Sequence, residues 1–242
     1  MKKMISLILA FLLLFACSSS ASMLDDVIGQ KSKASAPAAK GSDDNTTASG
    51  LKEALSVGTK NAVKSVAKTD GYFKNQAIKI LMPDEIQKAA DMLSKVGYKK
   101  EVDDFVLSMN RAAEKAAPKA VDIFVDAIKH MTFDDAKKVL SGGETAATDF
   151  FREKTRPKLF GEFKPVVTDS MSKVGVAQSY KKMTAGYSKL PFVHKEDVDL
   201  DDHITNKALD GLFYMVAQEE KKIRTNPAAR VTDLLKKVFG GK

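Results

Sequence analysis

Apolar residues recur at intervals of three and four positions along most of the chain from residue 50 onward. Residues with this spacing lie on one face of an α-helix. The repeat is clearest at Val102, Phe105, Val106, Met109, Ala113 and Ala116, at Val121, Phe124, Val125 and Ile128, and at Val231, Leu234, Leu235 and Val238. Strict alternation of apolar and polar residues, which would indicate a β-strand, is absent. The pattern therefore predicts an all-α fold.

Proline and glycine divide this pattern into separate helices. A proline is tolerated in the first turn of a helix, where its missing N–H has no partner to lose, and a glycine is favoured just past the last turn. Thr132 followed by Asp135 is a variant of the capping box that begins a helix. These signals predict about nine helices in a single domain. They span residues 51–67, 75–81, 84–96, 99–116, 118–130, 133–140, 145–174 with a break near Pro157, 176–189, and 201–224 followed by 227–239.

The predicted helix 201–224 has the broadest apolar face, so we expect it to lie at the centre of the domain. Gly211 lies inside this helix, although a glycine there costs about 1 kcal/mol relative to alanine. We therefore expect another stretch of backbone to pass close to Gly211.

The N-terminus has a pattern of its own. Lys2 and Lys3 precede an apolar run that ends with Ala16 before Cys17, and this order of charged, apolar and small residues is that of a secretory signal. The cysteine at the cut point resembles the bacterial lipoprotein signal, in which the new N-terminal cysteine receives lipid. A plain secretion signal and a retained signal anchor are the alternatives, although the apolar run is short for a hydrocarbon core about 30 Å thick.

These features predict three segments. Residues 1–16 are a lipoprotein-type signal peptide, residues 17–49 a disordered tether lipidated at Cys17, and residues 50–242 the helical domain. The tether is rich in small and polar residues, which cannot bury enough apolar surface to offset the cost of ordering. In bacterial lipoproteins an acidic residue after the cysteine tends to hold the protein at the inner membrane. Ser18 stands there, so the resemblance implies the outer membrane, facing the periplasm; a soluble periplasmic protein is the alternative.

Charge and cysteine content narrow the possible functions. The chain has 39 basic and 31 acidic side chains, a formal net charge of +8, but its basic pairs are scattered among acids. Nucleic-acid binders usually show a clustered basic face, so we predict no nucleic-acid partner. Cys17 is the single cysteine, which leaves the helical domain without disulfides or thiol chemistry.

No catalytic or cofactor-binding motif stands out. The three histidines are His130, His194 and His203, and none belongs to an H-E-x-x-H arrangement. The nucleophile elbow G-x-S-x-G, the dinucleotide motif G-x-G-x-x-G and the phosphate-binding loop are absent as well. We therefore predict no catalytic residue and no cofactor, and we favour a role other than that of an enzyme.

The densest cluster of potential metal ligands lies in residues 194–203. Its candidate ligands are Asp197, Asp199, Asp201 and His203. The three aspartates mimic the first ligand positions of a calcium loop, but Asp202 replaces the required glycine and Ala208 stands where the bidentate glutamate should be. We therefore predict no metal site, and interpret these acids as caps of the helix that follows.

Two further features have a plain structural interpretation. An aromatic-rich stretch surrounds Pro157, and its helical spacing favours the core over a groove for an apolar ligand. Its members are Phe150, Phe151, Phe160 and Phe163. Arg111 and Glu114 are three positions apart, which predicts an ion pair on the surface of a helix.

Four segments carry a resemblance to a known family: GYFKNQAIKILMP (71–83), SMNRAAEKAAPKAVD (108–122), AIKHMTFDDAKKVLSGGETAATDFF (127–151) and KALDGLFYMVAQEEKKIRTNPAARVTDLLKKVFG (207–240). They look like an uncharacterised, mostly proteobacterial family of envelope proteins that share domain of unknown function 4197. The resemblance covers essentially all of residues 50–240. It implies a helical fold and export, and it brings no reaction, cofactor or catalytic residue.

Three functions follow as hypotheses. The leading one is a lipid-anchored, periplasm-facing interaction or scaffolding module, which contacts the membrane through its lipid and binds an unknown envelope protein. The second is a carrier or sensor of a lipid-like apolar ligand between helices near 145–175 and 201–224, which requires an enclosed cavity of a few hundred Å³. The third is a hydrolase, which requires a histidine within hydrogen-bond reach of acids at a cleft.

Overall fold

The computed structural model describes residues 40–173 and 199–226 of the chain. These residues form helices and connecting turns without a β-strand, which confirms the predicted all-α class. The helices are α1 (Lys40–Ala67), α2 (Asp84–Leu93), α3 (Lys99–Ala116), α4 (Ala120–Lys129), α5 (Phe133–Ser141), α6 (Ala146–Met171) and α7 (Leu200–Thr225). A turn, Ser94–Tyr98, with non-helical backbone angles at Val96 and Gly97, joins α2 to α3, and a 3₁₀ turn, Ala117–Lys119, joins α3 to α4. The predicted helices 176–189 and 227–239 lie outside the described residues.

Helix α1 begins earlier than its sequence predicts. Residues 40–49 are helical, although their polar composition places them in the predicted tether. The later part of α1 is held in the core by Leu51, Val63 and Val66. A helix that is already nucleated extends at little cost through residues of modest helix propensity. The helix that the later part of α1 nucleates therefore continues through residues 40–49. The tether over residues 17–39 stays a prediction.

The predicted helix 75–81 is wrong. This stretch consists of turns, and a side chain of α3 satisfies its backbone. The Ile80 N–H donates to Asn110 Oδ1 at 2.9 Å, and Asn110 Nδ2 donates to the Ile80 carbonyl oxygen at 2.8 Å. Ile78, Ile80 and Met82 are buried at every second position, which is the spacing of an extended chain. A buried amide on a neighbouring element has replaced the intrahelical hydrogen bonds.

The predicted break near Pro157 is also wrong, because α6 continues through this proline. A proline inside a helix costs about 3 kcal/mol or more, since it removes a hydrogen bond and crowds the preceding turn. Beyond it, Leu159, Phe163 and Val167 are completely buried. The packing of these side chains outweighs the local cost and keeps α6 in one piece.

The core is built around α6 and α7. Helix α6 packs along α7 and α3, and α1 packs along α7 and α4, so α7 has the central position that its apolar face predicts. The rings of Phe124 and Phe151 meet edge to face with centroids 5.1 Å apart. The completely buried residues of α6 and α7 include Phe151, Leu159, Phe163, Leu209, Leu212 and Phe213. Side chains therefore fill the interface at which a carrier would hold its ligand.

The close neighbours of Gly211 are side chains of other residues, and not the stretch of backbone that the sequence predicts. A Cβ at this position would lie 2.7 Å from Cε1 of Tyr72 and 3.1 Å from Cβ of Ile78. The Tyr72 ring is completely buried, and its hydroxyl donates to the carbonyl oxygen of Ala208 at 2.7 Å. The Tyr72 ring therefore cannot move away from α7. The residue of α7 that faces this ring must lack a side chain, as Gly211 does.

We expect Gly211→Ala to destabilise the domain, although alanine is the better helix former. Overpacking of a core costs roughly 1–3 kcal/mol, and helix propensity offsets about 1 kcal/mol of it. Gly161→Ala in α6 is the matched control, because a Cβ there has no atom within 4 Å. We expect this control to stabilise the domain by up to about 1 kcal/mol. Urea denaturation followed by circular dichroism measures both, and a gain in stability for both variants would contradict the close approach at Gly211.

Candidate functional site

Asp199 caps the N-terminus of α7, which is the role predicted for this acidic segment. Its side chain accepts a hydrogen bond from the Asp202 N–H at 2.9 Å. This hydrogen bond, and then the Lys164 ammonium group 3.6 Å from Asp199 Oδ2, lower the pKa of the Asp199 carboxyl group. The Asp199 carboxylate is therefore ionised and bonded to the N-terminus of α7.

The other candidate metal ligands have separate partners. Asp201 accepts a hydrogen bond from Thr168 Oγ1 at 2.6 Å, and His203 Nε2 lies 3.0 Å from the Leu81 carbonyl oxygen. Asp197 lies outside the described residues. Within the part of the chain that the structure describes, no three histidine, cysteine or acidic side chains are grouped as for a metal ion. The bonds of Asp201 and His203 instead tie α7 to α6 and to the segment before α2.

His130 lies at an open cleft between α4, α5 and α6, with a volume of about 210 Å³. The polar side chains of this cleft include those of Asp126, His130, Asp135, Lys154 and Lys158. The imidazole Nδ1 lies 3.3 Å from Asp126 Oδ1, and Lys158 Nζ lies 3.5 Å from Asp126 Oδ2. The cleft thus brings an imidazole close to a carboxylate, which the hydrolase hypothesis requires. His194 and Cys17 lie outside the described residues.

The second carboxylate of the cleft belongs to a helix cap. As predicted, Thr132 and Asp135 form a capping box at the start of α5. Asp135 Oδ2 accepts hydrogen bonds from the Thr132 hydroxyl at 2.7 Å and from the Thr132 N–H at 3.0 Å. These two bonds lower the pKa of the Asp135 carboxyl group. Because an ionised carboxylate has no proton to donate, Asp135 is not suited to act as a general acid.

The corner where α2 meets α3, residues 92–100, presents apolar side chains to solvent. Val96 is 63% exposed and Met92 is 45% exposed. Gly97, at φ +102°, reverses the chain in the left-handed conformation that favours glycine. Helix α2 packs mainly against α3 and the turn Ser94–Tyr98. We refer to this projecting feature as the α2–α3 corner.

A second apolar surface runs between α1 and α5. It is an open groove of about 450 Å³, and we name it the α1–α5 groove. Its lining includes Ala48 of α1 and Phe133, Ala136 and Leu140 of α5. Phe133 is 48% exposed at this groove. A half-exposed aromatic ring beside a recess is typical of a surface that something else covers.

Comparison with known proteins gives the family of the chain. Residues 41–240 match the family described as protein of unknown function (DUF4197). The chain belongs to this family. The match confirms the resemblance to domain of unknown function 4197, whereas no curated protein and no solved structure matches the chain. None of the described helices of the DUF4197 domain is long and apolar enough to cross a membrane.

The pair of Arg111 and Glu114 in this DUF4197 domain is not the surface ion pair that its spacing predicts. Glu114 is buried, and its Oε1 accepts hydrogen bonds from the N–H groups of Tyr72 at 3.1 Å and Phe73 at 3.3 Å. Its Oε2 pairs with Arg111 at 2.5 Å, and Arg111 also pairs with Asp70 at 2.5 Å. The carboxylate thus fixes the backbone of the turn segment on α3. Burial, and then the negative charge of Glu114, raise the pKa of Tyr72.

Glu220 is a second buried carboxylate, for which the sequence gives no local signal. Glu220 lies on α7. It accepts hydrogen bonds from the N–H groups of Ala147 at 3.0 Å and Thr148 at 2.9 Å, and from the Thr148 hydroxyl at 2.8 Å. It also pairs with Arg224 at 2.8 Å, and Arg224 Nη2 donates to the Val139 carbonyl oxygen at 2.8 Å. One side chain of α7 therefore caps α6, and its partner arginine fixes the end of α5.

Proposed function

We propose that the protein is a lipid-anchored interaction module that faces the periplasm and binds an envelope protein through the α2–α3 corner. The signal-like N-terminus and Cys17 support the anchor. The observation that carries the interaction is the exposure of Met92, at the end of α2, and of Val96, in the turn that follows, at a corner that packs mainly on α3. Large apolar side chains on a projecting corner lose unfavourable contact with water when a partner covers them.

The charges at the corner favour a protein over a lipid surface as the partner. Lys99 forms an ion pair with Asp103, and Lys100 forms one with Asp104, which in each case lies four residues further along α3. The positive charges of Lys99 and Lys100 are therefore balanced by carboxylates. Binding to an anionic membrane uses clustered, unbalanced lysines and arginines, whereas an apolar pair beside two lysines that are paired with carboxylates fits an apolar recess on another protein.

The two alternative functions have less support in the described structure. A carrier would hold its ligand between α6 and α7, where completely buried side chains fill the interface. A hydrolase would use the cleft at His130, but this imidazole is 79% exposed and Asp135 is committed to the capping box. Catalytic electrostatics are strongest in sites that exclude water, and the open cleft at His130 does not.

Site-specific photo-crosslinking in cells tests the corner. We expect a photoreactive residue in place of Val96, in the full-length chain, to give a discrete adduct with one envelope protein. The same residue in place of Lys129, which is exposed on α4, is the control. Adding Met92→Asp should reduce the adduct roughly tenfold, as expected when an interface loses about 1.4 kcal/mol.

The outcomes of this experiment separate the hypotheses. No adduct from position 96, or the same adducts from positions 96 and 129, would contradict binding at the corner. An adduct with lipid instead of protein would assign the corner to the membrane surface. A stoichiometric apolar compound in the natively purified protein would favour the carrier.

A further inference from the structure

Met92 differs in exposure from the buried methionines of the domain. It lies on the α2–α3 corner and is 45% exposed, whereas Met82, Met109 and Met131 are 3%, 0% and 4% exposed. The close-packed interior of a protein leaves no path for a dissolved oxidant, so the sulfur atoms of the three buried residues are shielded. Met92 is the residue of these four whose thioether an oxidant in solution reaches while the chain is folded.

The two other methionines in the described part of the chain are partly buried. Met171 of α6 and Met215 of α7 both pack against the core. The sulfur of Met215 also accepts a hydrogen bond from Asn75 Nδ2 at 3.6 Å, which engages a lone pair that an oxidant would attack. Among the methionines that the structure describes, we therefore expect Met92 to react first.

Hydrogen peroxide oxidises a thioether by transfer of one oxygen atom. A lone pair of the sulfur attacks one peroxide oxygen, a sulfur–oxygen bond forms and the oxygen–oxygen bond breaks. The sulfur loses two electrons, and the other oxygen leaves with both protons as water. Two thiols reverse the change, because they reduce the sulfoxide to the thioether with formation of a disulfide and water. The product, methionine sulfoxide, is polar where the thioether is apolar.

The corner tolerates a sulfoxide that the core does not. The oxygen of a sulfoxide at Met92 can be hydrated, and exposed Lys88, four residues earlier on the same face of α2, carries an ammonium group that can donate to it. The same oxygen at Met109 would be buried without a planned partner, which is costly. Oxidation at Met92 therefore changes the polarity of the surface beside Val96 and leaves the fold intact.

We propose that Met92 is an oxidation site at which peroxide converts the α2–α3 corner from an apolar surface that binds its partner into a polar surface that does not. The consequence for binding rests on the function proposed for this corner, whereas the selective oxidation of Met92 rests on burial alone. Met92 and Val96 are the exposed apolar pair of the corner. A polar oxygen on one of them removes a large part of the apolar area that a partner would cover.

Peptide mass spectrometry tests the site. The full-length chain, purified in mild detergent, is exposed to hydrogen peroxide and digested with trypsin, which separates the described methionines because a lysine or arginine lies between each of them and the next. We expect the peptide of Met92 to gain one oxygen at least several-fold faster than those of Met82, Met109 and Met131, with unchanged circular dichroism. In urea that unfolds the chain, the rates should converge. Equal rates in the folded chain would overturn the proposal.

Photo-crosslinking from position 96 in cells, before and after a brief exposure to peroxide, tests the consequence for binding. We expect peroxide to lower the adduct several-fold. In Met92→Leu, which has no sulfur at this position, the adduct should stay at that variant's own starting level, whereas Met215→Leu should lose its adduct as the parent does.

Each outcome of this experiment decides between the two proposals. An adduct that persists while Met92 is oxidised would overturn the effect on binding and leave the corner as a binding surface. An equal loss in Met92→Leu would place the action of peroxide elsewhere and overturn the effect as well. Absence of the adduct before peroxide would contradict the proposed function, and the effect on binding with it, while the peptide rates still decide the oxidation site.

Discussion

Replacing Glu220 by alanine is expected to lower the free energy of unfolding by about 3–5 kcal/mol, the range for breaking a buried ion pair. The side chains of Glu220 and Arg224 are only 6% and 15% exposed. Without the carboxylate, Arg224 loses its buried ion pair with Glu220, and the N–H groups of Ala147 and Thr148 lose their acceptor in the first turn of α6. Chemical denaturation followed by circular dichroism, with linear extrapolation to water, measures the loss.

The neighbouring Glu219 provides the control for this substitution. Glu219 pairs with Lys222, whose side chain is 59% exposed, and accepts a hydrogen bond from Asn61 at the surface. The Glu219 side chain is 13% exposed, but its partner Lys222 stays largely in water, so we expect Glu219→Ala to cost roughly 1 kcal/mol. Glu220→Gln should fall between the two, because the amide retains an acceptor oxygen for α6 but no charge for Arg224. Equal costs for Glu219→Ala and Glu220→Ala would show that the buried carboxylate does not cap α6.

The second large effect concerns the anchor. We expect Cys17→Ser in the full-length chain to abolish labelling with radioactive palmitate and to move the protein from the membrane fraction to the soluble fraction. Each buried methylene of an acyl chain contributes about 0.8 kcal/mol to membrane binding. None of the described helices is long and apolar enough to span a membrane.

Ser18→Ala is the matched control for the anchor, and it should keep both the label and the membrane fraction. Membrane retention of Cys17→Ser would point to an uncleaved signal anchor. An unlabelled, soluble parent protein would point to plain secretion. Either result would contradict lipidation at Cys17.

Local patterns predict the parts of the fold whose interactions are local. Helix α3 has its predicted bounds, and α5 ends one residue beyond the predicted 133–140, because each combines an apolar face with a clear start or end. The capping box at Thr132 and the helix end at Gly97 follow from the same short-range chemistry. These features depend on residues within four positions of each other, which a single sequence displays directly.

The errors arise where distant side chains decide the outcome. Residues 75–81 have helical periodicity, but Asn110 of α3 supplies the hydrogen bonds that a helix would have made. The spacing of Arg111 and Glu114 predicts an ion pair at the surface, but Glu114 is buried, where it accepts a hydrogen bond from the Tyr72 N–H. The candidate sites are similar in this respect, because a groove or an exposed corner depends on which faces the helices leave uncovered. The order of residues alone does not show which faces of the helices stay uncovered.

The anchoring of the turn segment on α3 also determines how the domain can open. The peptide groups of Tyr72 and Ile80 are bonded to Glu114 and Asn110, two side chains of one buried helix. Segments without regular structure usually exchange their amide hydrogens through small local fluctuations. Because both acceptors belong to α3, we expect these two amides to be released to water when α3 separates from the turn segment, and to exchange as slowly as the amides of the core.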